Sequence, residues 1–178
     1  MIPFPNEKYS IIYADPPWSY NDKALAGNRG ANCKYPTQDA NWLKNLPVAD
    51  IANKDCALFI WVTMPQLEVC FDLIKAWGFT YKTCAFTWVK RNKKAASWFW
   101  GMGSWTRANS ELCLLATKGS PKRLNAGVHS IIDTPIEQHS KKPAIVRDKI
   151  VQLLGDLPRI ELFARQHTEG WTVWGNEV

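Results

Sequence analysis

The chain of 178 residues is 46% hydrophobic and carries 22 Lys plus Arg against 16 Asp plus Glu, for a net charge of +6. That length suits one domain, and the apolar share excludes a disordered chain; the basic balance permits a polyanionic partner without requiring one. MIPFPNEKYS has no basic-then-apolar leader and no apolar run approaches ~18 residues, so neither secretion nor membrane spanning is expected, and a cytoplasmic protein is.

In chain order, apolar runs predict strands at 9–14 (YSIIYA), 56–63 (CALFIWVT), 83–89 (TCAFTWV), 111–117 (ELCLLAT), 159–164 (RIELFA) and 171–175 (WTVWG). Several are apolar almost throughout, as strands covered on both faces are. Helical spacing appears twice. In 65–77, Leu67, Cys70, Phe71, Ile74 and Trp77 recur at three and four residues, with Pro65 at the start and Gly78 beyond the end. In 143–154 the stripe is Val146, Ile150, Leu153 and Leu154, between Pro143 and Gly155. Strands interleaved with helices predict an α/β sandwich with a mainly parallel sheet. The five cysteines, Cys33, Cys56, Cys70, Cys84 and Cys113, form no CxxC pair and read as reduced thiols, most of them inside apolar runs, rather than disulfides or a zinc site.

Two polar stretches, 19–41 and 90–110, carry no clear element. The second sets Lys90, Arg91, Lys93 and Lys94 beside Trp98, Phe99, Trp100 and Trp105. Cations followed by aromatics suit a phosphate backbone and exposed bases, and ten tryptophans exceed what a core of this size ordinarily uses. A surface loop whose aromatics fold back on the body is the competing reading.

Ligands of an open α/β sheet bind beyond the carboxyl ends of its strands. Here 9–14 runs into Asp15-Pro16-Pro17-Trp18, and 159–164 into Arg165-Gln166-His167. An exocyclic amine on a base is a poor nucleophile while its lone pair is delocalised into the ring. Two acceptors on its N–H bonds favour a pyramidal nitrogen and stabilise the growing positive charge. The Asp15 carboxylate and the Pro16 carbonyl are the two acceptors expected, the prolines hold the carbonyls in one direction, and Trp18 is expected to stack on a flipped base. A rigid turn would use the same residues, but Asp-Pro-Pro-Trp straight after a buried strand is more restrictive than a turn requires.

With YSIIYADPPWSY, KYPTQD, ALFIWVT, AWGF, TWVKRN, SELCLLATKGSP, HSKKP, RIELFAR and WGNE in that order, the chain resembles the adenine-N6 methyltransferases with a DPPW motif. These include the catalytic subunit of the eukaryotic messenger-RNA methyltransferase and many bacterial and phage DNA enzymes. The resemblance implies a Rossmann-like fold with helices on both faces of the sheet, the catalytic motif preceding the cofactor strand in the chain, and S-adenosylmethionine as cofactor. It implies catalytic roles for Asp15, Pro16, Pro17 and Trp18, and cofactor contacts for Asp15, Lys142, Phe163, Arg165, His167 and Asn176. Lys142, just before a helix start, suits the cofactor's carboxylate, and Arg165 and Asn176 suit ribose hydroxyls. Tyr20, Tyr35, Lys90, Arg91, Lys93, Lys94 and Trp105 are the residues expected at the nucleic acid, and no metal is expected.

The expected activity is transfer of the sulfonium methyl group to adenine by in-line displacement, within one domain spanning 1–178. DNA is the preferred polymer, because a chain without appended modules resembles the phage and bacterial branch. RNA, the exocyclic amine of cytosine, and a non-catalytic nucleic-acid-binding scaffold are the alternatives, and a homodimer is compatible with so aromatic a chain.

Overall fold

The computed structural model describes residues 3–18, 40–103, 105–137 and 141–178. In chain order the elements are β1 (Tyr9–Ala14), α1 (Ala40–Lys44), α2 (Val48–Ile51), β2 (Ala52–Val62), α3 (Leu67–Ala76), β3 (Thr80–Arg91), β4 (Glu111–Lys118), β5 (Ile131–Pro135), α4 (Ile145–Leu154), β6 (Arg159–Leu162) and β7 (Thr172–Trp174). They form one seven-stranded sheet in the order β5-β3-β4-β2-β1-β6-β7. Strand β4 is antiparallel to both neighbours, β2 and β3, while every other pairing is parallel. The Rossmann-like architecture expected from the sequence is the one observed.

The helices lie on both faces, and the period-two alternation of the strands decides what each face contains. Ile12, Ala14, Leu58, Ile60, Leu114 and Ile160 pack with Leu43, Val48, Ile51, Leu73, Ile74 and Trp77 of the α1–α3 side. Ile11, Tyr13, Phe59, Trp61, Cys113 and Trp88 face Val146, Ile150 and Leu154 of α4. Both expected helices form. A 3₁₀ turn over Met64–Gln66, with Pro65 in its first positions, leads into α3, and Gly78 follows it at φ 79°. Gly155 ends α4 at φ 91°, a left-handed conformation that glycine adopts without steric cost.

Strand β5 and the short helices α1 and α2 are additions to the sequence reading; IIDTP carries too few apolar residues, and four- and five-residue helices too little periodicity, to be legible. Strand β6 ends at Leu162 rather than at 164, because Phe163 takes φ 63° and leaves the extended conformation. The polar stretch after β3 is folded back on itself. Arg91 bridges to Trp98, Asn92 and Gly101 donate backbone hydrogen bonds to Ser97 and Ala108, and the Asn109 side chain bonds to the backbone of Lys90 and Phe99. This return places β4 beside β3 and makes it antiparallel. The described cysteines are free thiols, and burial pushes those of Cys56 and Cys70 up to about 12.

One charged pair lies inside the α4 face. Arg147 of α4 grips Glu161 of β6 with two hydrogen bonds, of 2.7 and 2.6 Å, and both residues are buried. Removing one member of such a pair strands the other's charge away from water. Glu161→Ala is therefore expected to cost about 3–5 kcal/mol in a urea unfolding experiment. The double replacement Arg147→Met, Glu161→Leu is expected to cost clearly less, because no charge is left unpaired.

Candidate active site

Strand β1 stops at Ala14, level with Ile60 of β2 and Leu162 of β6, so Asp15 stands on the carboxyl edge of the sheet. Alternation puts Asp15 on the same face as Tyr13, which is the α4 side. Because β4 runs the other way, its first residue, Glu111, stands at the same edge and on the same face as Cys113. Lys142, just ahead of α4, closes the set. Its Nζ lies 3.1 Å from Asp15 Oδ1 and 3.2 Å from Glu111 Oε2, and 5.7 Å from the centre of the Trp61 ring. Lys90, at the end of β3, is bonded to the other oxygen of Glu111 at 2.5 Å and lies over Trp88. Asp15, Lys142, Glu111 and Lys90 thus alternate in sign along the sheet edge.

Their titration follows from this. Burial raises the Asp15 carboxyl above its ordinary value of 3.8, Lys142 pulls it back only in part, and Glu111 pushes it further up. Burial would raise Glu111 too, but it has a lysine on each oxygen, and Lys142 and Lys90 together hold it below its ordinary 4.5. Burial disfavours the Lys142 ammonium, yet the two carboxylates outweigh burial and keep it charged.

Beside this row opens a cleft lined by Tyr13, Asp15, Lys142, Phe163, Arg165 and Glu177 among others, with the Arg147–Glu161 pair also in its lining. Phe163 breaks the alternation of β6. Its left-handed backbone turns the ring edge-on to Trp174, 5.6 Å away in the core of the opposite face, while the residue still borders the cleft. A bulky residue held at positive φ stores local strain of about 1–3 kcal/mol, which the surrounding packing must offset. Arg165 donates from Nε to Glu177 at 3.0 Å across the mouth.

The sequence-predicted residues therefore separate. Asp15, Lys142, Phe163 and Arg165 meet at one cleft. His167 and Asn176 are exposed and stand next to lining residues, Gln166 and Glu177, without lining the cleft themselves. Tyr20 and Tyr35 fall outside the described residues. Pro16 is buried, and its carbonyl accepts the Trp18 amide at 2.8 Å.

Three expectations are corrected. Trp18 offers no stacking face: it is 5% exposed in the core of the α1–α3 side, where its indole N–H donates to the Trp61 carbonyl at 3.0 Å. A buried indole with a satisfied N–H anchors the Asp-Pro-Pro turn instead. Lys90 is no phosphate contact, since its ammonium is held by Glu111 in a nearly buried position. Arg91 is committed to Asp133 through two bonds of 2.7 Å and lies over Trp98. Lys93, Lys94, Trp98 and Trp100 are exposed as expected, and Trp105 is 99% exposed.

Sequence reasoning missed Glu111, Arg147 and Glu161. Glu161 did carry a signal, because an acid inside a strand covered on both faces needs a buried partner. Glu111 carried none, because its place at this edge depends on the direction of β4. Among the described residues, no group of three or more His, Cys, Asp or Glu is arranged to hold a metal, and no helix is long and apolar enough to cross a membrane.

The MT-A70 family model matches residues 9–177, and the chain belongs to that family. It is 36% identical over 192 residues to the Type II methyltransferase M.MunI of Mycoplasma sp, across 98% of this chain and 79% of that protein. It is 29% identical over 175 residues to the N(6)-adenosine-methyltransferase catalytic subunit METTL3 of Homo sapiens, across 96% of this chain but 28% of that protein. To the N(6)-adenine-specific methyltransferase METTL4 of Mus musculus it is 28% identical over 189 residues, across 96% of this chain and 37% of that protein. The chain thus spans most of the first relative and little more than a quarter and a third of the other two. It is a methyltransferase of this family.

The charge row predicts an inverted titration order. Carboxyl ¹³C shifts followed against pH in the ligand-free protein are expected to show Asp15 titrating above Glu111, although an isolated glutamate takes up its proton first. The linked effects on stability have opposite signs. Glu111, depressed, contributes stability that is full above its ordinary 4.5 and is lost as pH falls through its lowered value. Ionising Asp15, raised, costs stability as pH climbs from 3.8 through its folded value.

Proposed function

We propose that this protein transfers a methyl group from S-adenosylmethionine to the exocyclic amine of adenine in DNA, giving 6-methyladenine. The observation that carries the reading is the Asp15 carboxylate, held at the sheet edge by a nearly buried lysine and bordering a cleft lined by charged groups and Phe163.

The cleft's donor set fits S-adenosylmethionine. Lys141, Lys142 and Arg165 are cations suited to its carboxylate and hydroxyl groups, Asp15 and Glu177 are acids suited to its ammonium, and the Phe163 ring gives an apolar edge for its adenine. When bound, the cofactor supplies a methyl group already activated on positive sulfur. The chain's task is orientation and charge stabilisation. Asp15 accepts a hydrogen bond from the target amine and stabilises the positive charge growing on that nitrogen; its proton leaves after the transfer. The Pro16 carbonyl has one lone pair engaged by Trp18, and the other is the natural second acceptor.

Lys93, Lys94, Trp98, Trp100, Trp105 and Arg107, exposed on the returns between β3 and β4, give the cation and aromatic surface a polynucleotide needs. A base inside a duplex cannot reach the cleft, so it must be flipped or come from a single strand. DNA is favoured over RNA because the likeness to the Type II methyltransferase is greater and runs over more of that protein than the likeness to the N(6)-adenosine-methyltransferases does. RNA is the second reading, supported by those same relatives.

Asp15→Ala is expected to weaken cofactor binding by calorimetry far less than it lowers methylation, because Glu177 remains for the ammonium and Glu111 still holds Lys142, and to lower methylation by about 10²–10³-fold. Undiminished turnover by this variant would remove the mechanism. Incubation with matched DNA and RNA oligomers, followed by mass analysis of the digested nucleosides, separates 6-methyladenine in DNA from the RNA product and from methylated cytosine. The wild-type rate is expected to fall as pH is lowered through the raised Asp15 value, because only the carboxylate accepts from the amine.

A further inference from the structure

We propose that Glu111 is a positioning residue: by sharing Lys142 with Asp15 it keeps the Asp15 carboxylate available to the target amine, and Lys90 sets how strongly Glu111 pulls. The inference rests on Asp15 being the acceptor for that amine.

The geometry is a balance between two nearly equal contacts. Lys142 Nζ is 3.1 Å from Asp15 Oδ1 and 3.2 Å from Glu111 Oε2. Neither carboxylate holds the ammonium alone. Glu111 is itself shared, with Lys90 on its other oxygen, so its pull on Lys142 is reduced. Each ammonium also sits against an indole, Lys142 against Trp61 and Lys90 against Trp88, and these limit sideways movement.

Of the remaining groups around Asp15, Glu161 from β6 adds a lesser upward push on its carboxyl, while Arg147 from α4 holds Glu161 through two short bonds. The Cys113 thiol of β4 and the Tyr13 hydroxyl of β1 are pushed well above their usual range by burial and stay neutral. Lys141, the neighbour of Lys142, is paired with Glu137.

Ion-pair strength falls with distance, and in a partly dry site small displacements matter. With Glu111 neutral, Lys142 moves wholly onto Asp15, occupies its lone pairs and leaves a poorer acceptor with a lower pKa. With Lys90 neutral, Glu111 draws Lys142 towards itself, and Asp15 is left buried with less compensation and a higher pKa. The two ends of one row thus push Asp15 in opposite directions. A merely structural defect would not.

The test follows the Asp15 carboxyl by ¹³C shift against pH in cofactor-free wild type, Glu111→Gln and Lys90→Gln. The expected result is a downward move of about half a unit or more in Glu111→Gln and an upward move in Lys90→Gln. In steady-state methylation of DNA, Glu111→Gln is expected to lose about tenfold in kcat with little change in the KM for DNA, and Glu111→Asp to recover part of the loss. Should Glu111→Gln not fold, the sign of the Lys90→Gln shift decides. Shifts in the same direction, or none, overturn the inference whether or not the protein methylates DNA. Opposite shifts with an active wild type and an unimpaired Glu111→Gln also overturn it. A wild type that methylates nothing overturns the proposed function, and this inference with it, even where the shifts are as expected.

Discussion

The site is organised by one ammonium placed between two carboxylates. Lys142 enters from the segment ahead of α4, Asp15 from the end of β1 and Glu111 from the start of β4. None of the three could be buried alone without a desolvation cost of several kcal/mol. Together with Lys90 they form a row of alternating sign in which each charge has an opposite neighbour. That is what allows a carboxylate to stand at the largely apolar edge of the sheet, beside a cleft, with the lysine offsetting part of the cost of its burial.

The sheet supplies the rest of the geometry through parity. Residues 13 and 15 on β1, 161 on β6, 61 on β2 and 111 and 113 on β4 share a face because side chains alternate at every step. Helix α4 covers that face, so Tyr13, Trp61 and the Arg147–Glu161 pair make a rigid support under the charge row. Phe163 is where the alternation fails, and its left-handed backbone lets one residue border the cleft and still pack against Trp174. Gly175 is required close by, since a Cβ there would come within 2.2 Å of the Ala164 carbonyl.

The abundance of tryptophan has two physical origins. Trp18, Trp61, Trp77 and Trp88 are buried, and their indole N–H groups reach Trp61 and Leu43 carbonyls, the Tyr13 hydroxyl and, more distantly, the Thr134 carbonyl. They fill volume and tie elements together. Trp98, Trp100 and Trp105 are exposed on turns of the β3–β4 connection with lysines and an arginine nearby. Composition shows the excess but cannot divide it, because burial of an indole depends on whether an acceptor lies within its reach in three dimensions.

Much of the architecture was legible from the chain alone. Apolar runs marked six of the seven strands, and apolar periodicity bounded by Pro and Gly marked the two long helices, because covered strands and amphipathic helices require those patterns. The strand ends at Asp15 and Arg165 pointed to one crevice, and the family resemblance added Lys142 to it. The order of strands, the reversed direction of β4 and the left-handed turn at Phe163 were not, since each follows from how distant segments pair. Those three features decided that Glu111 would stand beside Lys142, that Lys90 would be neutralised, that Trp18 would be enclosed, and that His167 and Asn176 would lie outside the cleft wall. Local patterning dictates which face of a segment avoids water; only the assembled sheet dictates which charges become neighbours, because electrostatic partnership is set by distance in space and not along the chain.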